Sequence, residues 1–192
     1  MDSIQQFIST FDREEDLRGW AIDLRDNTGG ATPAMVTGVG PLLSSGNLAH
    51  YVDASGQPAS SFGYRNGGYH DFDGTDSVAQ VISTVNYHVR RPGLPIAVLT
   101  NENSASAAEG LATLLAGEAN TRSFGQPSAG LTTGDRLILL SDDAGLNLSV
   151  PYLATKEGEV FTGRIPVDVV VEPGAGEADS VLAAALNWLL SE

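Results

Sequence analysis

The 192-residue chain contains no cysteine. That absence excludes a disulfide scaffold, a thiolate zinc site, an iron–sulfur cluster and a cysteine nucleophile. Basic residues are scarce: 10 Lys and Arg stand against 24 Asp and Glu, a formal net charge of −14. Such a surface repels phosphate backbones and anionic headgroups, so neither nucleic-acid nor membrane-surface binding is expected. Long apolar runs are absent too, and nothing approaches the ~20 residues of a membrane-spanning helix. The start, Met1 to Trp20, is amphipathic and acidic, without the basic opening and apolar run of a secretion signal. No compartment follows from it. Histidine occurs only three times, at His50, His70 and His88. What remains is 42% hydrophobic and 18% charged, a globular composition at the length of one domain, 1–192.

Ile4, Phe7, Ile8 and Phe11 recur at helical spacing. They predict a helix of roughly four turns with Ser3 as N-cap, Gly19 as stop and that apolar face buried. Trp20 to Leu24 reads as a short buried strand running into the turn Asp26 to Gly30. Helix is expected from about Thr32 to Leu43. Residues 44–76, rich in Gly, Ser, Asn and Asp, read as either a hairpin-bearing insertion or a mobile excursion over the surface. Val78, Val81, Ile82 and Val85 return to helical spacing. Pro95 to Thr100 is the clearest buried strand, and a helix pattern follows at Leu111, Leu114 and Leu115. Strands are then expected over Arg136 to Leu140, Leu146 to Leu153 and Val167 to Val171, before a last helix from Ser180 to Leu190. Strand–helix alternation followed by strands argues an α/β layered domain.

Two strand-to-loop junctions, Asp23 to Gly30 and Ser104 to Glu109, each follow a buried strand and precede a helix. In α/β sheets ligands commonly bind at that end of the strands. A serine in the first helical turn also sits among unpaired N–H groups, which suits acyl transfer. The same Ser106 and Glu109 equally make a capping box, and the glycines equally make a tight turn or a weak anion cradle. His70 lies in Tyr69–Asp76, an acidic loop whose spacing departs from the calcium pattern, and it reads as solvated. His88, beside Arg90 and Arg91, reads as complementing the carbonyls of a helix end. No metal or cofactor site is expected.

The segment GWAIDLRDNTGG, from Gly19 to Gly30, resembles the strand-and-turn of the C-terminal-processing (tail-specific) serine peptidases and their tricorn-like relatives, D-L-R-x-N-x-G-G. IAVLTNENSASAAEGLA resembles the nucleophile segment of that family, Gly125 to Gly130 its G-x-x-T-x-G, and Ile165 to Val169 its late I-x-P-D-V strand. The motifs occur in family order from Gly19 to Val171. The resemblance implies a ClpP/crotonase-like α/β core with additional β-strands in the C-terminal third. It implies Ser106 as nucleophile, with oxyanion donors from the backbone of Ala107 and of the Gly29-Gly30 turn. With no lysine or arginine run in these segments and a net charge of −14, the expected substrate is unstructured polypeptide, and no cofactor is expected. Asp23, Arg25 and Asn27 would brace the turn, and Glu109 would cap.

The departures bear on the general base. The processing branch places a lysine directly after the glycine matched by Gly130, and here that residue is Leu131. The tricorn-like branch uses a histidine upstream of the D-L-R strand, and none precedes Asp23. It also carries a glutamate where this chain has Phe161. Two expectations follow: a catalytic part of a longer peptidase whose base lies elsewhere, or a peptide-binding or scaffold domain that has lost it. An acyl-CoA-type enzyme of the wider fold group, independent of Ser106, is a third.

Overall fold

A strand buried on both faces has to lie between two layers, and β6 (Ile96–Thr100) is buried at all five positions. Its side chains alternate: Ile96 and Val98 enter one apolar cluster, Ala97 and Leu99 another. In the computed structural model, residues 1–73, 76–174 and 178–192 are described, apart from the side chain of Arg136. β6 is flanked in parallel by β1 (Trp20–Asp23) and β7 (Thr121–Gly125), and β10 (Val169–Val170) lies beyond β7. On one face α4 (Ser180–Ser191) sets Val181, Ala185 and Leu189 against Ala97, Leu99 and Phe124. On the other lie α2 (Thr32–Val39), continued by a 3-10 turn at Gly40–Leu42, and α3 (Ala107–Ala116).

A second, antiparallel sheet covers those helices. Its order is β5 (Asp76–Ile82), β4 (Gly68–Asp73), β3 (Pro58–Arg65), β2 (Gly46–Val52), β9 (Gly145–Thr155) and β8 (Thr133–Leu139). Leu48, Phe62, Tyr69 and Leu153 from this sheet meet Val36, Leu111, Leu114 and Leu115 of the helices in the larger cluster. The architecture is the α/β core expected from the resemblance. The late strands β8 and β9 join strands from the middle of the chain in one sheet.

The structure corrects four expectations. First, α1 (Asp2–Phe11) ends well before Gly19, and its N-cap is Met1 where Ser3 was expected. Its buried face carries Gln5, Ile8 and, at the cap, Asp12, while Ile4, Phe7 and Phe11 are exposed. Gln5 is drawn inward because its amide donates to the Thr37 carbonyl at 2.6 Å and accepts from the Tyr87 N–H at 3.1 Å. Second, the segment carrying Val78, Val81 and Ile82 is strand β5, where helix was expected. β-branched residues suit an outer strand paired to β4, and Val78 and Ile82 are exposed on it.

Third, of the two readings of 44–76 the hairpin-bearing one holds and the surface excursion does not: its described part supplies the antiparallel strands β2, β3 and β4, with Phe62 and Tyr64 in the main core. Gly74 and Thr75 of the acidic loop lie outside the described residues. Fourth, no helix ends at His88, which is exposed in the irregular stretch between β5 and β6. Arg91 instead meets carbonyls at and beyond the end of α1, donating to those of Asp12, Glu14, Glu15 and Leu17.

Candidate active site

Because β1 and β6 run parallel in register, with Asp23 beside Leu99, the loops leaving their carboxyl ends emerge side by side. Hydrogen bonds lock the two together. The Ala105 N–H donates to the Asn27 carbonyl at 2.9 Å, and the Ser104 hydroxyl donates to the Leu24 carbonyl at 2.8 Å. Asp26 accepts from the side-chain amides of Asn101 and Asn103 at 2.9 and 2.8 Å, which holds its carboxyl below its ordinary value. Ser104 is therefore consumed in structure and 1% exposed, whereas Ser106 is exposed.

Ser106 has φ 55° and ψ −114°, a conformation that L-residues rarely adopt and that costs about 1–3 kcal/mol. Glu109 holds it there. One Glu109 carboxylate oxygen accepts the Ser106 N–H at 2.7 Å. The other accepts the Ser128 hydroxyl at 2.5 Å and the Gly130 N–H at 2.8 Å. Glu109 is 1% exposed, so it does more than cap α3: it ties the serine turn to the Gly125–Gly130 segment. Ser128 falls at the threonine of the G-x-x-T-x-G match, and the hydroxyl shared by the two residue types is the sequence signal for this donor.

Ala107 opens α3, so its N–H has no acceptor within the helix. Gly29 lies against it. A Cβ on Gly29 would fall 2.8 Å from the Ser106 Cβ and 3.2 Å from the Ala107 nitrogen, and φ is +105°. The two glycines are not equivalent. The Gly29 N–H donates to the Asn27 side-chain oxygen at 3.0 Å, whereas no such bond holds the Gly30 N–H among the described residues. Gly30 also lines a cleft of about 190 Å³ together with Ser106, Ala107, Tyr51, Leu131 and Asp135.

Asp23, Arg25 and Asn27 brace the turn as expected, and Arg25 has a partner the sequence did not suggest. Its guanidinium bridges Asp23 at 2.6 Å and Asp179 at 2.8 Å, both partners raising its pKa. Asp179 is also the N-cap of α4, accepting the Leu182 N–H at 2.9 Å, and these contacts hold its pKa down to about 2. At 154 residues from Arg25, this pairing left no local signal.

No proton acceptor stands where the family motifs would put one. Leu131 lines the cleft and is 60% exposed, while Phe161 packs on the main core. Tyr51 faces the cleft with its pKa raised by burial and by Asp135, so its phenol keeps its proton. His50 is engaged with the Ser61 hydroxyl at 2.8 Å, and His70 is buried with Nδ1 on the Ser77 hydroxyl at 3.0 Å. Neither lines the cleft. Among the described residues no group of three or more His, Asp or Glu is placed to hold a metal ion, and no helix is long and apolar enough to cross a membrane.

An exposed serine at a strained strand-to-helix turn, set against a diglycine loop at the ends of parallel strands, is the layout of an acyl-transfer hydrolase core. Residues 1–171 match the model of Peptidase family S41, and the chain belongs to that family. It is similar to the nisin-resistance protein of Lactococcus lactis subsp. lactis, at 25% identity over 186 residues, 97% of this chain and 54% of that protein. It is also similar to the chloroplastic carboxyl-terminal-processing peptidase 2 of Arabidopsis thaliana, at 28% identity over 153 residues, 80% of this chain and 25% of that protein. The structure of a lipoprotein from Streptococcus agalactiae superposes with a TM-score of 0.68 at 26% identity, covering 98% of this chain and 61% of that one. The chain thus spans about half the first of these relatives and a quarter of the second.

Proposed function

We propose that this chain carries the nucleophile and oxyanion half of a serine peptidase acting on unstructured polypeptide. The observation that carries the reading is Ser106, exposed and strained, with the Ala107 N–H at the start of α3 and, on the loop beside it, the Gly30 N–H, which has no hydrogen-bond acceptor among the described residues. In this mechanism the Ser106 Oγ attacks a peptide carbonyl while its proton passes to a base. The oxyanion of the tetrahedral intermediate is met by Ala107 and Gly30, the leaving amine takes up the proton, and water then releases the acyl group. Gly29 contributes shape: without a Cβ it lets its loop close on the serine. The base comes from polypeptide outside these 192 residues, a reading supported by Leu131 at the lysine position and by the longer span of the relatives. The acidic surface favours polypeptide over nucleic acid as the partner.

The cleft without a base also supports a second reading, a peptide-binding domain that no longer cleaves. A fluorophosphonate probe separates the two. Applied to the chain joined to its upstream polypeptide, the probe should label wild type and not Ser106→Ala. The 192-residue chain alone should label slowly, since general-base assistance is worth about 10²–10⁴ in rate. Peptide hydrolysis that survives Ser106→Ala would refute the assignment.

A further inference from the structure

The β8–β9 hairpin holds its apolar side chains out in solvent. Leu137, Ile138, Leu139, Leu140, Leu146 and Leu148 are between 37% and 71% exposed. Single exposed leucines are ordinary, but this many on one hairpin mark an interaction surface. β8 is also the outer strand of the antiparallel sheet, with β9 on its inner side, so its outer backbone groups have no strand partner among the described residues. The hairpin begins at the serine: Thr133, Gly134 and Asp135 at its root line the same cleft as Ser106, Ala107 and Gly30.

Register shows which face is incomplete. Ile138 pairs across the hairpin with Leu146, but Leu137 stands opposite Asn147 and Leu139 opposite Gly145. Leu137 and Leu139, at 64% and 71% exposure, therefore lack an apolar cross-strand partner within the hairpin. Its charge is lopsided as well, with Asp135 exposed at the root, Asp142 and Asp143 exposed at the tip, and Arg136 its one basic residue in sequence.

We propose that the outer edge of β8 is the docking strand for an extended, apolar and basic polypeptide, which it aligns with Ser106. This rests on the peptidase reading of that serine. A strand laid along β8 satisfies backbone groups on both sides, whatever its sequence. Its alternate side chains cover Leu137 and Leu139, and its basic residues meet the aspartates at root and tip. Specificity then lies in apolar alternation and positive charge, and the small cleft at Ser106 need not read a particular side chain.

The test is fluorescence anisotropy on the 192-residue chain with two labelled nonapeptides, one alternating leucine with lysine and one alternating leucine with glutamate. The lysine peptide should bind, and the glutamate peptide should bind about tenfold more weakly or worse. The double variant Leu137→Ser, Leu139→Ser should weaken the lysine peptide about tenfold or more, with unchanged circular dichroism. N-methylating alternate amides of the peptide, which needs no change to the protein, should abolish binding. Equal binding by the double variant, by the N-methylated peptide or by the glutamate peptide overturns the proposal. So does a wild-type dimer that the double variant dissociates, because the edge then belongs to a second copy. Hairpin-dependent binding without fluorophosphonate labelling of the longer chain would leave the docking strand standing and remove the peptidase reading. Labelling without hairpin dependence would do the reverse.

Discussion

Gly29 and Gly30 show how adjacent identical residues do different work. Both have positive φ, +105° and +126°, so any side chain at either carries backbone strain. At Gly29 a methyl group would also sit 2.9 Å from the Ala105 carbonyl and 2.8 Å from the Ser106 Cβ, whereas at Gly30 the nearest atom is the Met35 methyl at 3.9 Å. Gly29→Ala should therefore cost clearly more stability than Gly30→Ala, about 2–4 kcal/mol against about 1. Denaturant midpoints of the two variants measure the gap. If Gly30 donates to the oxyanion, Gly30→Ala keeps the fold and its N–H and still lowers the labelling rate by shifting that group. The placement of Ser106 at the start of α3 was legible, because the capping box with Glu109 is local in sequence. Asn27 taking the Gly29 N–H was not, since a diglycine pattern does not say which amide is already bonded.

Elements were legible where burial is two-sided or propensity and pattern agree. β6 and α3 fall where their apolar runs put them. α1 misled because apolar spacing marked Ile4, Phe7 and Phe11, whose exposure the structure shows, while the inward face is held by Gln5 and Asp12 through hydrogen bonds. β5 misled because a valine spacing of three and four also fits an edge strand whose alternation is broken by exposure. β4, read as a solvated loop, carries a buried histidine with a measurable signature. Burial, with Arg65 nearby, lowers the pKa of His70. The unfolded chain takes up a proton near the ordinary value of about 6.5, and the fold resists it. Stability from this residue is thus whole above that pH and declines as pH falls toward the lower folded value. Thermal melts between neutral and mildly acidic pH should show that decline in wild type and lose it in His70→Gln.

Across the whole molecule, the serine turn is fastened to a helix from the far end of the described chain. Asp179 pairs with Arg25 of the turn while capping α4, and α4 covers the Ala97, Leu99 and Phe124 face. The folded carboxyl, at about 2, is depressed from 3.8, so its stabilising contribution is present above the unfolded value and is lost as pH falls through the folded one. Asp179→Asn should lower the melting temperature near neutral pH and flatten the acid dependence between about pH 4 and 2, a comparison that differential scanning calorimetry makes directly. All the motif residues lie at or before Val171, within the segment 1–171 that matches the family. A nascent polypeptide that has left the ribosome as far as Val171 already holds Ser106, Ala107 and the diglycine loop, yet the clamp on Arg25 and the cover over the sheet have still to emerge. The order of synthesis therefore separates the two: the turn around the nucleophile is made long before the helix whose cap clamps it.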